Sequence, residues 1–164
     1  MDMPTPDDEF YEYLLQAGKR SIEERDVFPT LVTDSPDGIQ VFVLAGDAHP
    51  YERLITVLPI VADSKPTRVA FTSDSYYFHS QGDDAEAQAD RIRAAYDNSL
   101  ARAFEAGEPL VHEALVINIV TVTSTSVRIL PYVRHENAIE WLEPVEEKAG
   151  YSGRMIEAMR RVFA

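Results

Sequence analysis

Cysteine is absent from the 164-residue chain. That one absence removes disulfides, thiolate zinc sites, iron–sulfur clusters and cysteine nucleophiles together, and it fits a reducing compartment. Lysine is nearly absent. Lys19, Lys65 and Lys148 stand against twelve arginines, a bias that fits a GC-rich genome. None of the three lies on a predicted strand, so a nuclease-type site of carboxylates, metal and lysine has no lysine to use. No apolar run approaches the roughly 18 residues that a membrane span needs. The opening Met-Asp-Met-Pro-Thr-Pro-Asp-Asp has neither the basic nor the apolar region of a signal peptide. The expectation is a cytoplasmic protein with no membrane partner. Positive charge is outnumbered, with 15 Lys and Arg against 28 Asp and Glu for a net charge of −13. Such a surface repels phosphate backbones and excludes nonspecific nucleic-acid binding. No Walker loop, G-x-G-x-x-G, EF-hand, G-x-S-x-G or H-E-x-x-H pattern occurs, so no cofactor is expected.

What remains is an ordinary globular composition, 45% hydrophobic and 26% charged, at a length that suits one domain. Thr5 caps a helix with Pro6 at its first position and three acids at its positive end. Phe10, Tyr13, Leu14 and Ala17 give this helix an apolar stripe, and it runs on to about Arg25. Thr30–Thr33 and Ile39–Ala45 form a hairpin around Asp34-Ser35-Pro36-Asp37-Gly38. The second of these strands is apolar on both sides beyond Gln40, which predicts an interior, covered strand. Tyr51, Leu54, Ile55, Leu58, Val61 and Ala62 share one helical face, although Pro59 predicts a kink or an early end. Arg68–Ser73 reads as a third strand, and Asp74–His79 has no clear period. One long helix is expected from about Asp83 to Ala106, capped by Gly107.

Glu113–Arg134 is the most β-rich stretch, two strands around a turn at Thr123–Thr125. The first is apolar on both faces and predicts an interior strand. The second carries Pro131, which cannot donate to a ladder, so it is expected at an edge or at a bulge. Its Arg128 and Arg134 suit a solvated face, and a partner chain could cover such an edge. His135–Gly150 reads as a connection anchored by Trp141. A last amphipathic helix from near Ser152 is expected to dock on the domain. The order α-ββ-α-β-α-ββ-α predicts a single α+β domain over residues 1–164. Its core is one mixed, mostly antiparallel sheet of about five strands.

Polar residues collect just beyond predicted strand ends. Asp47, His49 and His112 are candidate metal ligands, since imidazole and carboxylate are the usual donors when thiolate is absent. Asp74 and Glu113 are candidate catalytic carboxylates. Ser73 or Ser75 could be sought as a nucleophile, but their hydroxyls also suit local backbone bonding at a strand end. Tyr76, Tyr77, Phe78, Tyr132 and Trp141 form aromatic stretches of the kind enriched at interfaces.

Val69-Ala-Phe-Thr-Ser-Asp-Ser-Tyr76, the helix ending Phe104-Glu-Ala-Gly-Glu-Pro109, and Glu113-Ala-Leu-Val-Ile117 together cover about the middle half of the chain. In these segments the chain resembles small uncharacterised proteins of actinobacteria and their bacteriophages. Those proteins share a strand ending in Ser-(Asp/Glu)-x-aromatic and a Glu-Ala-Leu strand start. Asp74 stands where they often carry glutamate, and Tyr76 where they often carry tryptophan. The resemblance implies no activity, but it singles out Asp74 and Glu113.

The favoured expectation is a non-enzymatic binding or assembly protein, acting on a protein partner or by self-association. A metal-assisted hydrolase using Asp47, His49, Asp74, His112 and Glu113 is the alternative. An acidic inhibitor of a DNA-binding protein is the third.

Overall fold

The computed structural model describes residues 5–24, 29–44, 49–78, 84–147 and 154–164. Asp47, His79, Asp83 and Ser152 lie outside the described residues. The described residues form five helices and one antiparallel sheet. The order is α1 (Pro6–Glu23), β1 (Thr30–Ser35), β2 (Gly38–Val43), α2 (Pro50–Asp63), β3 (Arg68–Phe78), α3 (Ala85–Ala95) and α4 (Leu100–Glu105). β4 (Val111–Thr121), β5 (Thr125–Arg134), β6 (Ile139–Trp141), β7 (Val145–Glu147) and α5 (Arg154–Arg160) follow. The strands run β2-β1-β3-β4-β5-β6 across the sheet, with the short β7 pairing to β5 beside β6. Every pairing is antiparallel. The α+β class is therefore as expected, whereas the sheet is neither mixed nor limited to five strands.

α1 starts as its sequence dictates. Thr5 accepts from the Asp8 N–H at 3.1 Å, and the Asp8 carboxylate accepts from the Thr5 N–H at 3.1 Å. This reciprocal box satisfies two orphan donors. Arg68 ties the start of α1 to the sheet through Asp7 and, at 2.9 Å, through Asp34 of β1. α2 stays helical through Pro59, which lies on its exposed side. A solvated carbonyl tolerates the lost hydrogen bond better than a buried one.

Alternation along β4 sends buried side chains to both faces, so each face needs a helical layer. Leu31, Val69, Phe71 and Val120 meet α2 and α5 on one face, with Ile156 and Met159 of α5 fully covered. The last helix thus docks on its own domain. Ala70, Leu115, Ile117 and Leu130 meet Phe10, Leu14 and Ile22 of α1 on the other face. Further along that second face, Phe78 and Val111 pack with Ile92, Leu100 and Ala103 of α3 and α4.

Four expectations are corrected. The long helix breaks into α3 and α4 because Asp97 and Asn98 take left-handed φ values of 54° and 60°. Short polar side chains tolerate that conformation best after glycine, and Ser99 then caps α4 by accepting from the Arg102 N–H at 3.1 Å. β3 continues through Phe78, because β4 supplies a partner for every residue from Arg68 onward. β5 is not an edge. β7 pairs with Val127–Ile129 and β6 with Tyr132–Arg134, so Pro131 falls in the gap between them, where its carbonyl accepts from the Leu142 N–H at 2.9 Å. Of its two arginines, Arg128 is half-buried, 3.7 Å from the centre of the Tyr11 ring of α1, whereas Arg134 is exposed as expected. Lastly, β2 is the outermost strand and is exposed along most of its length, not covered on both sides.

Gly18 sets how closely α1 approaches β4. A Cβ built there would lie 2.7 and 2.9 Å from the two methyl carbons of Leu115, closer than carbon atoms pack. Leu115 is itself buried, so it has little room to yield. Gly18→Val is expected to lower stability by about 1–3 kcal/mol in urea unfolding. Leu115→Ala alone is expected to cost about 2–5 kcal/mol. The double variant is expected to lose less than the sum, because the deleted methyls make room for the added ones.

Candidate functional site

One row of the sheet carries most of the polar residues singled out by the sequence. Tyr76, Glu113, Tyr132 and Trp141 are successive cross-strand partners on β3, β4, β5 and β6. They share the face that α1 packs on, and alternation adds Asp74 and Arg134 to it. Arg134 is the centre of the group. Its Nε lies 3.2 Å from Glu113 and its Nη2 lies 3.5 Å from Asp74. The same Nη2 donates to the Tyr132 hydroxyl at 3.1 Å, and that hydroxyl donates to Asp74 at 2.5 Å. The two carboxylates marked by the resemblance therefore meet at one guanidinium. Burial works against the charge on Arg134, but Tyr132, Glu113 and Asp74 outweigh it and raise its pKa. Burial, and then the hydrogen bond to Asp74, push the Tyr132 hydroxyl far above the ordinary tyrosine range.

This arrangement locks the strands together. Tyr132 is only 1% exposed. A depression of about 430 Å³ reaches Arg134 between Glu23 and the turn before β6, but neither Asp74 nor Glu113 lines it. With both carboxylates committed to the same cation, neither is poised as a free base or nucleophile.

The histidines lie elsewhere. His49 caps α2, its Nδ1 accepting from the Tyr51 N–H at 3.1 Å. Arg154 approaches both of its ring nitrogens at 3.3 Å and stacks over Tyr51 at 4.5 Å. A guanidinium, not a carboxylate or imidazole, is thus the described side chain facing both nitrogens of this ring. His112 follows Val111 on β4 and pairs with Tyr77, so it points to the face opposite Glu113. The adjacency that made His112 and Glu113 attractive in the sequence separates them in a strand. Among the described residues no three His, Asp or Glu side chains converge to hold a metal ion. Ser73 and Ser75 bond each other at 3.0 Å, on the face opposite Asp74.

The aromatic residues are used mostly inside the chain. Tyr132 and Trp141 pack at 5.2 Å between ring centres, with Lys19 over the indole. Phe78 and Tyr77 join separate clusters beneath α3–α4 and on the opposite face. Tyr76 leans on Phe104 at 5.2 Å and stays partly exposed.

Two features were missed by sequence reasoning. Glu108 is a buried carboxylate that accepts from Arg91 at 3.0 Å and from Tyr96 at 3.1 Å. Arg91 holds its pKa below the usual carboxylate value despite desolvation. The Asp-Asn-Ser break at 97–99 was the available signal that α3 must fold back on this acid. The other feature is β2. Ile39, Val41 and Val43 are 43%, 52% and 57% exposed. They alternate along one strand, so they lie on one face, beside Tyr13 of α1. A groove of about 280 Å³ runs inward from them, lined by Tyr13, Ala17, Gly18, Ser21, Val41 and Val43. Among the described residues no strand pairs with the outer side of β2.

No protein family, curated protein or solved structure matches the chain at a significant level.

Tyr132→Phe is expected to lower stability by about 1–3 kcal/mol, because Asp74 keeps its burial and loses its donor. Tyrosine absorbance in an alkaline titration gives a second check. The Tyr132 pKa is raised in the folded chain, so its contribution is fully present below about pH 10, the unfolded value. The contribution then falls as pH rises beyond that, since only the unfolded chain ionises there. One tyrosine is expected to ionise only together with loss of the fold.

Proposed function

We propose that this protein is a non-enzymatic binding or assembly protein that works through protein–protein contacts, with β2 as its contact strand. One observation carries the reading: among the described residues β2 is an unpaired edge strand, and its Ile39, Val41 and Val43 are exposed and apolar on the face that α1 packs on. Soluble proteins blunt such edges with charge, proline, bulges or a covering loop, because unpaired N–H and C=O groups recruit other strands. β2 has none of the first three in Gly38–Val43, and its two neighbours on the exposed face are a tyrosine and an apolar groove. A partner strand added here gains main-chain hydrogen bonds and buries three aliphatic side chains at once.

The resemblance to small actinobacterial and bacteriophage proteins belongs to the same proposal, as do an origin in a bacteriophage and work in the cytoplasm. The hydrolase reading has less support, since Arg134 occupies both carboxylates and His49 faces a cation. The acidic-inhibitor reading predicts a contact made by carboxylates, whereas the exposed apolar strand carries no charge.

Salt separates these readings. Association through β2 is expected to persist from about 0.1 to about 1 M salt, where a carboxylate-driven contact is screened away. Ile39→Lys and Val43→Lys are expected to abolish that salt-resistant association while leaving the melting temperature within a few degrees of the parent, because both sites are exposed. Loss of association by salt alone, with the lysine variants still competent, would sink the proposal.

A further inference from the structure

We propose that the strand which pairs with β2 is β2 of a second copy of this chain, antiparallel about a two-fold axis at Val41. This rests on the assembly reading and names its partner.

Two observations favour a copy over an unrelated strand, and a third favours a strand over a helix. The first is symmetry. A two-fold interface places the same surface on both sides, so the surface must complement itself. The exposed apolar residues of β2 are Ile39, Val41 and Val43, evenly spaced about Val41. Antiparallel pairing centred there sets Val41 against its own counterpart and Ile39 against the copy's Val43. All three aliphatic side chains of each copy then meet aliphatic side chains on the same face.

The second is charge. A chain of net charge −13 repels its own kind over most of its surface. The run from Gly38 to Gly46 contains no charged residue. Asp34, on the strand behind, is paired at 2.9 Å with Arg68, a cation it shares with Asp7. Antiparallel pairing also sends Asp37 of the two copies to opposite ends of the strand pair. The strand Gly38–Val43 therefore meets its counterpart with no charged residue on either side.

The third is the backbone. In an antiparallel ladder alternate residues direct N–H and C=O to opposite sides. β1 takes one set from β2 across Thr30–Ser35, and the other set faces outward. A helix laid on this edge would leave that set unpaired, and a strand satisfies it. The two-fold axis runs perpendicular to the sheet, so both α1 helices lie on the same face. The grooves beside Tyr13 then flank the new strand pair as one apolar trough.

The absence of cysteine supplies a clean test, because any introduced thiol is the only one in the chain. Directly opposed residues in antiparallel strands have Cα atoms about 4.5–5.5 Å apart, within disulfide reach. Val41→Cys is expected to oxidise to a covalent dimer. Ile39→Cys and Val43→Cys are each expected to form no covalent dimer under the same oxidation, and an equimolar mixture of the two is expected to cross-link. Light scattering of the unmodified protein is expected to give twice the chain mass of 18.5 kDa, and Val41→Lys to give one chain mass. Circular dichroism of both Val41 variants should match the parent, and Val41→Cys keeps the test valid if the lysine variant misfolds. A parent that stays at one chain mass at millimolar concentration overturns self-pairing, while the salt and lysine experiments on other partners still judge the assembly reading. A dimer that survives Val41→Lys, with no cross-link from Val41→Cys, overturns the axis and places self-association on another surface.

Discussion

The strand β4 has to be dry on both sides. Ala114, Leu115, Ile117 and Val120 are all buried along it and alternate between the two faces of the sheet. Neither face can then be left to water, and two helical layers follow as a requirement. One layer is α2 with α5. The other begins with α1, which comes close enough to β4 that only hydrogen fits at Gly18. α1 does not reach the whole length of its face. Beyond it, before α3 and α4 begin, lies a strip of sheet over which no helix packs among the described residues. The side chains of that strip are Asp74, Glu113, Arg134 and the hydroxyl end of Tyr132. The charged cluster is what completes the face where helical cover stops.

Much of this was legible because local chemistry and global packing agree. Thr5 with Pro6 announces the start of α1, and the Pro36–Asp37 connection with Gly38 announces the first hairpin. The double-sided apolar pattern of β4 announces an interior strand. The failures share a cause, in that local pattern says what a residue prefers and not what stands next to it. Ile39–Val43 and the centre of β4 look alike in sequence. One lies at the end of the sheet and the other in its middle, and only strand order tells them apart. Pro131 was read as the mark of an edge or a bulge, because one missing donor implies a broken ladder. The chain supplies two short neighbours and leaves the gap between them at the proline.

The site residues follow the same logic at finer scale. Asp74 and Glu113 are 39 positions apart and are brought to one guanidinium by strand register, which spacing alone does not reveal. His112 and Glu113 are adjacent and are sent to opposite faces by the pleat. The aromatic stretches were read as an interface. Tyr132 serves as a large core side chain, Tyr76 stays partly exposed against Phe104, and the exposed apolar row on the outermost strand is aliphatic.

The two ends of the sheet are not equivalent, and the difference bears on how far an assembly can grow. Addition of strands propagates into a filament only if both ends of the unit offer a continuous ladder. At the β2 end six successive residues are available. At the other end the sheet finishes in β6 and β7, three residues each, separated by Leu142–Pro144. A ladder interrupted after three residues is a poor template for a six-residue strand. Were β2 to pair as proposed, extension of this sheet would terminate after one step, without the open-ended polymerisation that such an edge would otherwise invite.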